Sequence, residues 1–131
     1  MGITHLLDTN IIIYYLQQQL PASAANYLDE VFRTSMPAIS VITEMELLCW
    51  KSATEADVAL LRQFIEDVTV ISLTESVKQR AIEVRKASGI KLPDAIIAAS
   101  ALSQHLILVS RNEKDFNKVP ELTVINPWQL A

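Results

Sequence analysis

The chain has 131 residues, half of them hydrophobic and a fifth charged, which suits one packed core and excludes a disordered or low-complexity protein. The net charge of −4 weighs against a protein built only to coat nucleic acid, which carries a basic excess, but not against an enzyme that touches phosphate locally. No apolar run is long enough to span a membrane, and the single Cys49 has no partner in the chain, which suits a reducing cytoplasm.

The opening residues, MGITHLLDTN, carry no basic start and no small-residue cleavage site, so no signal peptide is expected. Leu6 stands where myristoylation expects Ser or Thr. Ile3 to Leu7 is a short apolar run that predicts a buried strand ending at Asp8. A helix from Thr9 or Asn10 through Leu16 follows. After Pro21 a second helix is expected from Ala22 to Phe32, with Ala25, Leu28 and Phe32 at helical spacing. Pro37 to Ser40 reads as a strand, and Thr43 to Trp50 as a helix. Ser52-Ala53-Thr54 resets the chain before a helix from Glu55 to Phe64, with Val58, Leu61 and Ile65 on one face.

Val68 to Ile71 is a β-branched strand. Thr74 caps a helix whose stripe is Val77, Ala81 and Val84, closed by Gly89. Leu92-Pro93 opens an Ala-rich helix reaching about Gln104, with proline at its first turn. Leu106 to Val109 is a fourth strand, Arg111 to Lys118 is irregular or briefly helical, and Leu122 to Ile125 is a last strand stopped by Asn126-Pro127. Strands that alternate with helices and are themselves uninterrupted apolar runs predict an α/β fold: a parallel sheet of four to five strands covered on both faces. No linker or repeat divides residues 1–131, so one domain is expected.

In such sheets ligands bind beyond the carboxyl ends of the strands. Asp8 follows the first strand. Ser40 ends the second, with Glu44 and Glu46 just after it. Ser110, Arg111 and Asn112 follow the fourth, and Asp94 lies in the first turn of the helix before it. Each also has a plain structural reading. Asp8 can cap a helix, and Asp94 can complement a helix dipole. Thr43-x-x-Glu46 fits a capping box, and Asn112 and Asp115 fit a turn.

Glu44 and Glu46 point to nearly opposite sides of a helix. Glu46 shares its face with Ile42, Cys49 and Trp50, where a charge needs a partner; Glu44 reads as a solvated surface charge. Carboxylates gathered in one cleft need a cation, and an oxygen-only donor set favours magnesium or manganese. With only His5, His105 and no Cys-x-x-Cys, a zinc site is not expected. There is no G-x-S-x-G, P-loop or G-x-G-x-x-G.

Four segments resemble the motifs of the PIN-domain family. They are Leu6-Leu7-Asp8-Thr9-Asn10, Ile39 to Leu47 with Glu46 before Leu47, Leu92-Pro93-Asp94-Ala95-Ile96-Ile97-Ala98-Ala99, and Val109 to Phe116. The resemblance spans nearly the whole chain and is nearest the VapC-type toxins of toxin–antitoxin pairs. It implies a three-layer α/β/α domain and a magnesium- or manganese-dependent endoribonuclease acting on RNA. It also implies homodimers and an antitoxin partner.

By the same resemblance Asp8, Glu46 and Asp94 hold the metal and do the catalysis, with Thr9, Asn10, Ser40, Asn112 and Asp115 in support. The family's fourth acid usually falls where Asn112 stands, which leaves Asn112 or Asp115 for that place. Lys91, Arg111 and Lys114 lie near the expected mouth and can meet phosphate or simply be solvated. Tyr14, Tyr15 and Leu16 can pack inside or line a partner groove. Two other functions stay open from the residues: a PIN-fold module that binds RNA or protein without catalysis, and a flavodoxin-like nucleotide or phosphoacceptor domain. The absent phosphate loop and the spread of the acids over three motifs count against the latter.

Overall fold

The computed structural model describes residues 2–130. Its elements run β1 (Ile3–Leu7), α1 (Thr9–Leu16), α2 (Ala22–Thr34), β2 (Met36–Ser40), α3 (Val41–Leu48), α4 (Glu55–Asp67), β3 (Thr69–Ile71), α5 (Glu75–Ser88), α6 (Leu92–Ser103), β4 (Ile107–Val109), α7 (Glu113–Phe116) and β5 (Val124–Ile125), closed by a 3-10 turn at Pro127–Gln129. The five strands are parallel and lie in the order β3-β2-β1-β4-β5.

Side chains alternate across a strand, and the alternation sorts the core into two layers. Leu6, Ala38, Ile71 and Leu108 face α5 and α6. Leu7, Ile39 and Val109 face α1, α2, α3 and α4. The result is the expected three-layer α/β/α arrangement.

Local chemistry sets the boundaries. Gly89 ends α5 in the left-handed conformation at φ 75, where a side chain is disfavoured. Pro93 sits in the first turn of α6. The α4 start is fixed by a reciprocal pair: the Thr54 hydroxyl accepts from Asp57 N, and the Asp57 carboxylate accepts from Thr54 N.

Three sequence expectations are corrected. Thr43 does not begin a capping box: α3 starts at Val41, its cap is Ser40, and Thr43 is buried inside the helix. Ser40 leaves β2 directly into the helix, so no loop separates the two. On α4 the buried residues are Leu61 and Phe64, whereas Val58 is exposed. On α2 the buried residues are Ala24, Leu28 and Val31, with Phe32 half-buried.

Short α7 is anchored by Phe116, which is fully buried in the α5–α6 layer. Phe116→Ala is expected to cost about 3–5 kcal/mol, read as a lower urea midpoint at unchanged slope. An unchanged midpoint would mean α7 is not held by this side chain.

Candidate active site

β1 is the central strand, with β2 on one side and β4 on the other. The chain winds one way from β1 to β2 and returns on the opposite side for β4, so the crevice beyond β1 and β4 is where such a sheet opens. Asp8 stands there. It caps α1: Oδ1 accepts from Thr9 N at 2.9 Å and Oδ2 from the Ser110 hydroxyl at 2.7 Å. Ser110 follows β4 directly and is fully buried. Its oxygen also accepts from Asn112 N at 3.0 Å. One hydroxyl thus ties the ends of β1 and β4 to the start of α7.

Glu46 reaches the same place from α3. The Thr9 hydroxyl lies 2.6 Å from Glu46 Oε1 and 3.2 Å from Thr43 Oγ1. A hydroxyl has one proton, so Thr9 gives it to the carboxylate and its oxygen is left to accept from Thr43. The burial premise for Glu46 fails, however. Glu46 and Cys49 are exposed, Ile42 and Trp50 are half-buried, and so is Glu44. What holds Glu46 is a hydroxyl, not an apolar wall.

Asp94 arrives from the other layer. Gln104, His105 and Leu106 alone reverse the chain between α6 and β4, with His105 left-handed at φ 56. α6 therefore runs back along the sheet and begins at the strands' carboxyl ends. The Asp94 carboxyl is half-buried, and among the described residues no hydrogen bond reaches it.

The acids act on one another's ionisation. Burial pushes the Asp94 carboxyl above its ordinary value, and the charges of Asp8, Asp115 and Glu46 push the same way, against a smaller opposing pull from Lys91. Burial also raises Asp8, opposed by the Ser110 and Thr9 hydrogen bonds and aided by Glu46. Glu44 figures in neither group.

The remaining expected residues divide. Asn112 caps α7, its Oδ1 accepting from Asp115 N at 3.3 Å and its Nδ2 donating to Asp115 Oδ2 at 3.1 Å. Beside Asp8 and Glu46, the third acid whose charge acts on Asp94 is Asp115. Ser40 is buried and its hydroxyl is occupied with Ile42 N at 3.1 Å, so it sets the direction of α3 and does not meet the acids. Asn10 is exposed on α1. Two residues outside the expected set join the network, Ser110 and Thr43. The signal for Ser110 was available: it follows β4 as Asp8 follows β1.

Among the described residues no three acidic, His or Cys side chains are drawn together closely enough to make a finished ligand cluster. Glu46 is turned to Thr9 and Asp115 to Asn112. The donor set nevertheless fits a hard divalent cation. Its members are all carboxylates, they repel one another, and among the described residues no hydrogen bond reaches Asp94; a metal ion would remove each of those costs. A separate hollow of about 450 Å³ against Ser76, Arg80, Ser103 and His105 lies by the far end of α6 and takes no part.

Comparison with known proteins gives a consistent answer. The sequence model of the PIN domain matches residues 5–122. Ribonuclease VapC2 of Rickettsia felis is 28% identical over 130 residues, covering 93% of this chain and 96% of that one. A tRNA(fMet)-specific endonuclease VapC of Salmonella typhimurium is 30% identical over 129 residues, covering 91% and 94%. A chain of a toxin–antitoxin complex from Klebsiella pneumoniae superposes with a TM-score of 0.77 at 30% identity, covering 97% of this chain and 100% of that one.

Proposed function

The chain belongs to the PIN-domain family, and we propose that it is a metal-dependent endoribonuclease, the toxin of a toxin–antitoxin pair. The observation that carries this reading is the hydrogen-bonded network at the sheet's switch point, in which Ser110 holds Asp8 at 2.7 Å and Thr9 joins Asp8 at 2.9 Å to Glu46 at 2.6 Å. The relatives named as ribonucleases and endonucleases supply the substrate class. In this reading residues 1–131 act as one domain in the cytoplasm, as a homodimer that an antitoxin protein holds inactive. Among the described residues no helix is long and apolar enough to cross a membrane.

Asp8, Glu46 and Asp94 are the residues that would hold the cation, magnesium or manganese. A cation held by them would supply a more acidic water molecule and positive charge beside the phosphodiester. The protein's own part is positioning. Each oxygen of Asp8 is fixed by one hydrogen bond, which leaves its remaining lone pairs free. Thr9 aims Glu46, and Ser110 aims Asp8; Asp94 keeps both oxygens available. Ser40 fixes α3, and with it Glu46, while Asn10 lies at the rim of α1.

Purified protein incubated with bulk tRNA is expected to release fragments with magnesium or manganese and none with chelator. Intact RNA under every condition overturns the nuclease. RNA retained but uncleaved would support the non-catalytic binding module instead. A monomer mass by light scattering overturns the dimer.

The place of the fourth acid has its own test. Asn112→Asp adds charge beside the crevice and is expected to tighten magnesium or manganese binding, while Asp115→Asn weakens it less than Asp94→Asn does. Calorimetric titration decides. Unchanged affinity in Asn112→Asp with strong loss in Asp115→Asn would give the fourth place to Asp115 alone.

A further inference from the structure

RNA presents one negative charge per nucleotide, and the crevice presents four carboxylates on a chain of net charge −4. Approach of a strand is favoured where a side-chain cation stands beside the acids and is not consumed by them. Arg111 meets that condition. It lies between Ser110 and Asn112, whose side chain and backbone are tied together and to Asp8, so its main chain is held at the crevice edge. Its side chain is exposed. It belongs to none of the ion pairs among the described residues. Instead its guanidinium carbon sits 4.5 Å from the ring centroid of Trp128.

Trp128 is set for this. Ser110 N donates to Ile125 O at 3.0 Å, so β5 ends level with β4 and its closing turn emerges on the crevice side. Trp128 N is held by Asn126 Oδ1 at 3.0 Å. Its ring is braced edge-on by Tyr14 of α1, with centroids 5.5 Å apart at 78°. α1 itself is capped by Asp8. A planar guanidinium stacked on an aromatic face keeps its N–H edge free for a phosphate, and its geometry is fixed in advance.

We propose that Arg111, seated on the Trp128 ring, is the phosphate anchor for single-stranded RNA at the rim of the acidic crevice. The proposal rests on the nuclease reading above and adds the residue that holds the substrate's backbone. Arg111 is the binding residue; Trp128, braced by Tyr14, is a positioning residue.

The test is an anisotropy titration of a short, labelled, mixed-sequence single-stranded RNA, run in chelator so that nothing is cleaved, over a series of salt concentrations. Arg111→Ala is expected to weaken binding about tenfold, equally across sequences, and to flatten the plot of log affinity against log salt by about 0.7. Arg111→Lys keeps the salt slope but loses part of the affinity, because an ammonium has no flat face to stack. Trp128→Leu weakens binding at unchanged slope, and Trp128→Phe restores it. Melting midpoints confirm that the variants fold. Wild-type affinity and slope in Arg111→Ala, with the unaltered protein binding RNA, overturn the anchor alone. An unaltered protein that neither binds this RNA nor cleaves bulk tRNA overturns the nuclease reading as well.

Discussion

Asp94→Asn is expected to cut RNA cleavage severely and, in chelator, to raise the melting temperature. The two effects have one cause. Asp94 is a half-buried carboxyl that no hydrogen bond reaches among the described residues, beside three other acids. Removing its charge removes a ligand and also a repulsion. The loss of activity is expected to be roughly 10²–10³-fold, the scale for deleting one charge-stabilising group at a reacting centre. Asp8→Asn should behave alike: the amide oxygen still accepts from Thr9 N, and the amide nitrogen can donate to Ser110.

The stability effect has a definite pH dependence. Asp94 titrates above its ordinary 3.8 when folded, so the metal-free native state binds more protons than the unfolded chain between that value and the raised one. Stability therefore falls as pH climbs through this window and stays lower above it. The advantage of Asp94→Asn in chelator should be full at neutral pH and vanish as pH drops below 3.8. Adding magnesium should reverse the order, because only the native wild type gains from binding the ion. Melting curves with and without magnesium, alongside the tRNA assay, check all three points. Full activity in both variants would place the chemistry elsewhere.

The sequence was informative where one physical demand ruled. Buried parallel strands must be apolar, so Ile3–Leu7 and Leu106–Val109 stood out, and the acids and hydroxyls just beyond them marked the crevice. Gly89 and Pro93 bracket the turn before Asp94 because few other residues fit those backbone positions.

It was less informative where two demands competed. Val41 and Ile42 are β-branched and resist the helix, so their propensity hides a start of α3 at Val41 and makes Thr43 fit a cap it does not form. Tertiary contact overrode that propensity. Asp57 answers Thr54 with a carboxylate one methylene shorter than the usual Glu, so that capping box went unread. On α4, Val58 and Leu61 share a stripe, but only the residues over Phe32 and the sheet are covered. Thr43 carries no charge and follows no strand end, so nothing in the sequence marks it; only its 3.2 Å distance to the Thr9 hydroxyl gives it a place.

Glu46→Gln is expected to reduce cleavage about a hundredfold, and Glu44→Gln by no more than about twofold, within the range of surface substitutions. The two side chains leave opposite sides of α3, and Glu46 holds the motif position before Leu47; burial does not distinguish them, since Glu46 is the more exposed of the two. Glu46 accepts the Thr9 proton at 2.6 Å and its charge is felt by both Asp8 and Asp94, whereas Glu44 reaches neither. A glutamine at 46 would keep the Thr9 hydrogen bond and lose only the charge, so it separates ligation from positioning. Thr9→Val supplies the complement: it keeps the shape of the side chain, frees Glu46, and is expected to lower activity about 10–100-fold, the scale for a residue that orients a ligand. Equal losses from Glu44→Gln and Glu46→Gln in the tRNA assay, or a larger loss from Glu44→Gln, would show that α3 presents a different face to the crevice.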